Sequence, residues 1–547
     1  MLKRRLSIPT NPFFLTVLLF VLQLGLFLWI TLRPFSISPP DRSYFILHGQ
    51  GSYTAYIRES KEGAWSIYNP YTTRPNQPVY VQLLYVFLGK IAQIFSFDPV
   101  AIYMVTRVGA GLILFLATYW FIVTILPRNL QSLAVLFTLG LEPGPLVSEI
   151  KNIASLAFVR PIIFSYFPQE VVLRHFGLPH HVLAEALGLL LVGSVFLFIK
   201  NPWQRLVGIA LLTTGGTLIM PAYTMVLVIT VFAAWFVWSH IRGQTNKIMP
   251  AFVTIIVCLG LVGLFTKLQM DSSNMWKYFN LDEKRWVTDG EVLVNYLSSL
   301  LLYLPATIFL WVALLRAWHR ITESMHLTVV LTTTWVVGPL LYIPLTHLTI
   351  FPLANFRLVD GYAYVPAGIL AAMGVREIGR TAGHHAAKIA VILMLAASLF
   401  LTVSYTRKAF GDQQRIYTNV YLLREEWDAI RFLTTIPKNS GVMVMKYFGE
   451  IIPVYGSARV FLGETPGALD WEQRYQIAAG FYSGQLTDSQ ARNILSRENI
   501  SYVYWGQDEK KFFNAAALYP NVLVPVFQNP AATIFRTPIT PSHVTAP

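Results

Sequence analysis

Long apolar runs recur along this 547-residue chain and restrict its fold more than any other feature. The first run covers residues 13–32. Ten more fall at about 100–126, 131–147, 180–199, 204–219, 221–239, 249–268, 294–315, 326–345, 362–375 and 389–405. A helix needs roughly 20 apolar residues to cross a bilayer. The sequence therefore predicts an α-helical polytopic membrane protein with about eleven transmembrane helices.

The composition excludes the main alternatives to a membrane protein. Hydrophobic residues make up 54% of the chain and charged residues only 13%, whereas a soluble domain carries roughly a quarter charged residues. This balance excludes a disordered chain and argues against a cytosolic enzyme. The single cysteine, Cys258, lies in an apolar run, so neither an internal disulfide nor a cysteine metal site is expected.

The net charge of +14 is explained by the orientation of the spans. With the N-terminus inside, the inner loops carry thirteen basic residues, from Lys3 to Lys388, and the two acids Glu323 and Glu377. This excess follows the positive-inside rule and needs no nucleic-acid partner. We predict an integral plasma (inner) membrane protein with a cytoplasmic N-terminus and an extracytoplasmic C-terminal domain.

The segment 79–95 is apolar but carries Lys90. If it crossed the membrane, every later loop would change sides and the charge asymmetry would be lost. We therefore predict a juxtamembrane or re-entrant segment here.

The chain is predicted to have two domains. Residues 1–405 form the transmembrane domain, including a first outer loop at 33–99. Residues 406–547 contain no spanning run and alternate helical patterns with short apolar strands. That alternation predicts a small extracytoplasmic α/β domain.

The first outer loop holds several polar residues close to the predicted membrane surface. Asp41 follows the first span, and the segment Ser52–Gly63 can form an amphipathic helix that carries Tyr53, Tyr56 and Arg58. Because tyrosine is common at membrane interfaces in general, two interpretations stay open. The helix either lies on the bilayer or lines a substrate cavity.

Further polar residues lie in or beside later spans. They are Arg107, Arg174, Arg357, and the group His180, His181 and Glu185 at the start of one apolar run. His181 and Glu185 share a helix face and offer two ligands for a divalent metal, but no third ligand completes the pattern. The sequence thus supports no metal and no other cofactor. Arginines at the outer surface suit the phosphate of a lipid carrier.

Several stretches give the chain a recognisable layout. They are SYTAYIRESKEGAWSIYNPYTTRP, LLYVFLGKIA, TRVGAGLILFLATYWF, GLPHHVLAEALGLLLVG, FRLVDGYAYVPAGILAAMGV, and FLGETPGALDW, FYSG and ISYVYWGQDE in the tail. With these stretches the chain resembles the GT-C superfamily of polytopic glycosyltransferases, and more closely the bacterial relatives of protein mannosyltransferases and aminoarabinose transferases. The resemblance implies transfer of a sugar from a polyprenyl-phosphate donor to a glycan, lipid or protein acceptor at the outer face.

The resemblance also implies roles for individual residues. Asp41 is the positional match for the acid that acts as general base. The expected donor-phosphate contacts are Arg58, Arg107, Arg174 and Arg357, and the expected cavity residues are Tyr53, Tyr56, His180, His181 and Glu185. Two positions depart from the family pattern, because Ser52 and Arg74 stand where relatives carry acids. A lipid or glycan transporter and a non-catalytic scaffold with the same fold therefore stay open as alternatives.

Overall fold

The computed structural model describes most of the chain and divides it into two compact units. The described residues are 11–37, 44–45, 51–141, 175–198, 202–273, 276, 288–317, 323–348, 354–359, 363–411, 421–463, 470–512 and 518–538. The helical unit comprises residues 1–31, 105–265 and 284–411. The mixed unit comprises residues 32–104, 266–283 and 412–547.

Helices make up most of the described chain. The first fifteen in chain order are α1 (Pro12–Ile37), α2 (Gly51–Lys61), α3 (Leu83–Phe95), α4 (Pro99–Ile125), α5 (Arg128–Leu139), α6 (Pro179–Phe198), α7 (Pro202–Ile219), α8 (Pro221–Leu227), α9 (Ala233–Ile241), α10 (Thr245–Asp271), α11 (Asp289–Leu300), α12 (Leu304–Ala317), α13 (Glu323–Tyr342), α14 (Tyr364–Thr381) and α15 (His384–Gly411). A π-helical turn, Val228–Phe232, joins α8 to α9. Two 3-10 turns, Ile343–His347 and Asn355–Leu358, lie between α13 and α14.

The described helices make the chain a multi-pass membrane protein. Seven of them are long and apolar enough to cross a bilayer, and α11 with α12 makes an eighth if this pair, bent by 81°, is one span. The sequence predicted about eleven spans. Part of the difference is the run 131–147, where α5 ends at Leu139 and residues 142–147 lie outside the described residues. A second part is the run 204–219, whose apolar helix Arg205–Ile219 is shorter than a candidate span. Another part is α14, whose first twelve residues are buried, so that it does not need the apolar surface of a lipid-facing helix.

Small residues allow close helix packing in the helical unit. The Cα of Gly374 on α14 faces α12 so closely that an added Cβ would lie 2.0 Å from the carbonyl oxygen of Ala306. At Gly368, an added Cβ would lie 2.8 Å from Thr138 on α5. Small residues at such crossings are typical of membrane helices, because close approach replaces the hydrophobic driving force available in water.

The mixed unit contains a five-stranded sheet with helices on both faces, which confirms the predicted C-terminal α/β fold. Its strands are β3 (Gly441–Met443), β4 (Arg459–Val460), β5 (Ile500–Trp505), β6 (Val524–Gln528) and β7 (Thr533–Arg536), in the spatial order β4-β3-β5-β7-β6. β3 is parallel to β4 and β5, whereas β7 is antiparallel to β5 and β6. The helices are α16 (Arg424–Thr434), α17 (Lys446–Tyr455), α18 (Trp471–Tyr482), α19 (Asp488–Arg497) and α20 (Gln507–Lys510).

Residues 44–45 and the segment around Pro70 and Arg74 contact the C-terminal part of the chain within the mixed unit. The short strands β1 (Tyr44–Phe45) and β2 (Tyr421–Leu422) pair antiparallel. Val460 of the edge strand β4 donates a backbone hydrogen bond to Pro70 (2.9 Å). Nearby, Arg74 pairs with the buried carboxylate of Glu498 (3.2 Å). The predicted boundary between residues 405 and 406 stays a prediction.

Candidate functional site

The predicted site residues fall in both units, so each group is described by itself. Asp41 and Arg174 lie outside the described residues. Arg107, His180, His181, Glu185 and Arg357 belong to the helical unit, and Tyr53, Tyr56 and Arg58 belong to the mixed unit.

The start of α6 carries three of the predicted residues on its first two turns. Pro179 opens the helix, and the rings of His180 and His181 meet edge to face with centroids 4.4 Å apart. Glu185 lies one turn beyond His181 and is 5% exposed. An ionisable side chain this deeply buried within an apolar helix is retained at a cost in free energy, which makes Glu185 a candidate functional residue.

Two further residues join this group. Tyr223 of α8 packs on α6 so closely that a Cβ on Gly188 would lie 2.4 Å from its ring. The phenol of Tyr223 interacts electrostatically with Glu185, and the guanidinium of Arg357 does so with His180. The structure thus brings His180, His181, Glu185 and Arg357 together, with Tyr223 as a member that the sequence analysis missed. We call these five residues the α6 cluster.

Arg107 of α4 is buried and held by the segment that precedes α6. Its Nε donates a hydrogen bond to the carbonyl of Phe176 (2.6 Å), and its guanidinium lies 4.9 Å from the ring centroid of Phe27. Next to Phe176, His175 shares a 2.7 Å hydrogen bond between its Nδ1 and the Oε1 of Gln23. Gln23, a polar residue inside the first apolar run, gave a signal in the sequence, whereas His175 lies outside the apolar runs; neither was singled out.

A second group that the sequence analysis missed joins three elements of the helical unit. Asp289 at the start of α11 accepts a hydrogen bond from the Nδ2 of Asn355 (2.9 Å) and contacts the Nε2 of His347 (2.7 Å). Asn355 and Arg357 lie in the same 3-10 turn, and that turn also packs on α8. Because these residues are 58 and 66 positions apart in sequence, spacing alone gave no signal.

In the mixed unit, Tyr53 and Tyr56 take part in aromatic packing. The ring of Tyr53 stacks on Tyr85 of α3 at 4.6 Å, and Tyr85 stacks in turn on Tyr103 at 6.2 Å. Tyr56 is 4% exposed and lies 6.4 Å from the ring of Trp276. Their role in a substrate cavity stays a prediction.

Arg58 holds α2 against the C-terminal part of the mixed unit. Its Nε donates a hydrogen bond to the carbonyl of Pro453 on α17 (2.9 Å), and its Nη1 pairs with Glu62 (2.6 Å). Glu62 also lies 3.5 Å from the ammonium of Lys438. These contacts tie the guanidinium of Arg58 to its own unit, as the hydrogen bond to Phe176 ties that of Arg107. The role of Arg58 as a donor-phosphate contact stays a prediction.

Among the described acids of the first outer loop, Glu59, next to Arg58 on α2, has the most strongly shifted pKa. Burial raises the pKa of Glu59 to about 7, although Arg58, the backbone N–H of Tyr68 and Arg459 oppose that shift. The Tyr68 N–H lies 3.4 Å from the carboxylate of Glu59. A carboxylate whose pKa is close to neutral suits proton transfer at neutral pH. Glu59 was not among the predicted site residues, because burial on α2 cannot be read from the sequence.

The α6 cluster has the chemistry of an anion site with an internal acid. It combines the guanidinium of Arg357 and two imidazoles with the N-terminus of a helix, where the backbone dipole favours negative charge. Among the described residues, no three or more His, Cys, Asp or Glu side chains are grouped to hold a metal ion. His181 and Glu185 thus supply two of the ligands that such a site would need.

The sequence matches no protein-family profile. It also matches no curated protein.

The fold, in contrast, matches solved structures of two membrane enzymes. ArnT from Cupriavidus metallidurans, bound to undecaprenyl phosphate, is 10% identical, with a TM-score of 0.53 over 95% of this chain and 97% of that one. The oligosaccharyltransferase AglB from Archaeoglobus fulgidus, in complex with an inhibitory peptide and a dolichol-phosphate, is 11% identical. Its TM-score is 0.51 over 89% of this chain and 69% of that one. Both are GT-C glycosyltransferases, and this chain has their fold.

Proposed function

We propose that this chain is a membrane glycosyltransferase that moves a sugar from a polyprenyl-phosphate donor to an acceptor at the outer face of the membrane. The observation that carries the proposal is the fold shared along nearly the whole chain with ArnT in its undecaprenyl phosphate complex. The AglB structure contains a dolichol-phosphate, a second polyprenyl carrier. Both ligands join a long apolar chain to a phosphate, the chemistry for which buried cations beside membrane helices are suited.

In the proposed reaction, the acceptor atom attacks C1 of the sugar while the bond from C1 to the carrier phosphate breaks. The phosphate oxygen keeps the bonding electron pair, and nearby cations stabilise its charge. Arg107, Arg174 and Arg357 are the proposed phosphate contacts. The α6 cluster supplies Arg357 together with His180 and His181.

The proton of the acceptor needs a base. Asp41 holds that role by the family resemblance, and Glu59 is a second proposal because of its pKa of about 7. Either carboxylate would take the proton as the new bond forms. The acceptor class (glycan, lipid or protein) and the orientation, with the N-terminus in the cytoplasm of a plasma-membrane protein, remain part of the proposal.

The experiment measures donor binding and sugar transfer separately, on protein reconstituted in nanodiscs with radiolabelled polyprenyl-phosphate sugars. Arg357→Gln should weaken donor binding at least tenfold, whereas Arg128→Gln, an exposed arginine at the start of α5, should leave it unchanged. Replacing the catalytic base should abolish transfer and leave binding intact, so Asp41→Asn and Glu59→Gln are compared side by side. Failure of the wild-type protein to bind any polyprenyl-phosphate sugar would overturn the proposal.

A scaffold without catalysis is the second candidate, and one observation favours it. Arg74, at a position where relatives carry an acid, forms an ion pair with Glu498, a structural role. A scaffold predicts that none of the carboxylate variants alters transfer, because there is none to alter. The transporter alternative predicts instead that a lipid or glycan enters proteoliposomes and that Glu185→Gln stops its entry.

A further inference from the structure

Asp289 uses both oxygens of its carboxylate to join separate elements of the helical unit. One oxygen, Oδ1, accepts a hydrogen bond from the Nδ2 of Asn355 (2.9 Å), and the other, Oδ2, contacts the Nε2 of His347 (2.7 Å). The two contacts differ in their surroundings, because Asn355 is 2% exposed whereas the side chain of His347 is 67% exposed. A hydrogen bond to a charged group is stronger where water is excluded, so the contact with Asn355 is the stronger of the two.

The side-chain amide of Asn355 is fixed at both ends. While its Nδ2 donates to Asp289, its Oδ1 accepts a hydrogen bond from the backbone N–H of Phe356 (2.8 Å). The opposite orientation of the amide would place its NH2 group against the N–H of Phe356 and its oxygen against the carboxylate, so only this orientation satisfies both partners. Asp289 is thereby connected, through one amide group, to the backbone of the residue that precedes Arg357.

The 3-10 turn Asn355–Leu358 depends on its neighbours for a defined position. A 3-10 turn is a weak element by itself, because its hydrogen-bond geometry is poorer than that of an α-helix. Apolar packing holds the turn in place, since Phe356 is 1% exposed, Leu358 is 0% exposed, and the turn contacts α8, α11 and α13. Apolar packing is non-directional. The hydrogen bond from Asn355 to Asp289 therefore supplies the direction that packing alone does not.

Arg357 is the residue whose place depends on this turn. Its backbone lies two residues after Asn355, and its guanidinium lies 5.0 Å from the ring centroid of Phe356. The same guanidinium interacts electrostatically with His180 of the α6 cluster. Because arginine has a long side chain with much rotamer freedom, a displaced turn would spread its charge over many positions. A fixed turn keeps the charge beside His180.

We infer that Asp289 is a positioning residue, which through Asn355 holds the turn that presents Arg357 and thereby sets the affinity of the α6 cluster for the phosphate of a lipid carrier. The inference rests on the proposed function, in which Arg357 is a phosphate contact. Carboxylate and phosphate carry the same sign of charge and repel each other, so Asp289 acts through Arg357 and not by direct contact. Holding a binding group in place before the ligand arrives reduces the entropy that binding costs.

Binding of radiolabelled undecaprenyl phosphate, the carrier without its sugar, to the full chain in phosphatidylcholine nanodiscs tests the inference. Asp289→Ala should weaken binding about tenfold, the lower end of the range for residues that orient metal ligands. Asp289→Asn should stay within about twofold of the wild type, because its amide oxygen can still accept from Asn355. The double variant Asp289→Ala/Arg357→Gln should bind no more weakly than Arg357→Gln alone, since a residue that acts through another has no effect once the other is gone.

Two control variants separate positioning from a loss of local stability. Glu291→Ala breaks the capping box of the same helix, in which the Glu291 carboxylate accepts from the backbone N–H of Thr288 (2.9 Å). His347→Ala removes only the exposed contact of Asp289. Exposed polar contacts contribute little, so both variants should bind undecaprenyl phosphate within about twofold of the wild type.

Several results would overturn the inference. Equal losses in Asp289→Ala and Glu291→Ala would show an effect of helix stability alone, and losses that add in the double variant would show that Asp289 acts independently of Arg357. Unchanged binding in Asp289→Ala beside a loss in Arg357→Gln would remove the positioning role and leave the proposed function intact. A wild-type protein that does not bind undecaprenyl phosphate would also overturn the inference, and the proposed function falls with it if the sugar-loaded donors fail to bind as well.

Discussion

Helices α2 and α3 pack against each other, yet their compositions suggest the opposite of the surroundings they have. α2 (GSYTAYIRESK) is polar, and eight of its eleven residues are buried. α3 (LLYVFLGKIAQIF) is apolar, and only five of its thirteen residues are buried. In an aqueous protein this pairing would be inverted.

The difference shows how each helix satisfies its polar groups. The buried polar atoms of α2 have partners: Arg58 binds Pro453 and Glu62, Thr54 donates to the carbonyl of Gly51, and Ser60 donates to Val86. Burial of such groups is tolerated when each is hydrogen-bonded. The exposed side chains of α3, among them Phe87, Ile94 and Phe95, are apolar and carry no polar group that needs a partner. Polarity alone therefore misjudges which of the two paired helices is buried within the unit.

The comparison depends on the close contact between α2 and α3 at Gly89. Disrupting this contact should have the largest effect on the free energy of unfolding. In Gly89→Ala the new Cβ meets backbone of α2 that cannot move aside. We expect the mixed unit to lose about 3 kcal/mol of unfolding free energy, the upper range for overpacking. Urea unfolding in detergent micelles measures the loss, and hydrogen exchange should rise first in peptides of α2 and α3.

Gly480 on α18 provides the matched control, because a Cβ there meets nothing within 4 Å. Gly480→Ala should be neutral or should stabilise the unit by up to about 1 kcal/mol through helix propensity. Equal losses at both glycines would contradict the close α2–α3 approach.

The second prediction concerns the bond between α2 and α17. Arg58→Ala removes the donor to Pro453 and the partner of Glu62, and should cost about 2 kcal/mol, the usual range for hydrogen bonds to charged groups. Arg431→Ala on α16 is the control, because this exposed arginine makes only a surface ion pair with Asp428 (3.8 Å), and it should cost less than about 0.5 kcal/mol. An Arg58 variant that keeps its stability but loses donor binding would instead support Arg58 as a phosphate contact.

The third prediction concerns Glu59 and the pH dependence of stability. Its pKa is about 7 in the folded protein against 4.5 as a reference, so the folded state binds more protons between these pH values. Stability should therefore fall as pH rises from 4.5 to 7. Glu59→Gln should make that fall shallower and leave stability near pH 4 unchanged.

Part of the pH dependence of stability should persist in Glu59→Gln. Burial also raises the pKa of Glu509 to about 7, although the backbone N–H groups of Met445 and Gly506 oppose that shift. Thermal unfolding at several pH values measures the slope. Glu472→Gln, at an exposed position on α18, is the charge-matched control, and an equal change in that variant would exclude a special environment for Glu59.

The sequence predicted the architecture more fully than the site. The apolar runs predicted the long helices, and the alternating pattern of the tail predicted the α/β sheet, because both follow from local periodicity. The prediction that residues 79–95 do not cross the membrane rests on the length of the segment and on the charge asymmetry of the loops together. The sequence left two placements open for residues 52–63, on the bilayer or lining a cavity. In the structure α2 contacts α3 and α17, and both placements stay predictions.

The site depends on contacts between distant residues, which a single sequence does not reveal. His180, His181 and Glu185 were found because they are polar residues in one apolar run. Tyr223 was missed because a tyrosine in an apolar run is usual, and Asp289 and His347 because their contact spans 58 positions. Asp41 and Arg174 lie outside the described residues and stay predictions.

The backbone hydrogen bond from Val460 to Pro70 limits how this protein can be divided for experiments. A fragment of residues 421–538 alone would expose the edge of β4 and remove Arg74 from Glu498, leaving Arg497 as the partner of that buried acid. Bare strand edges pair with other chains and cause aggregation. A soluble fragment for ligand screening should therefore carry residues 64–78 on a linker, so that this segment covers the edge of β4.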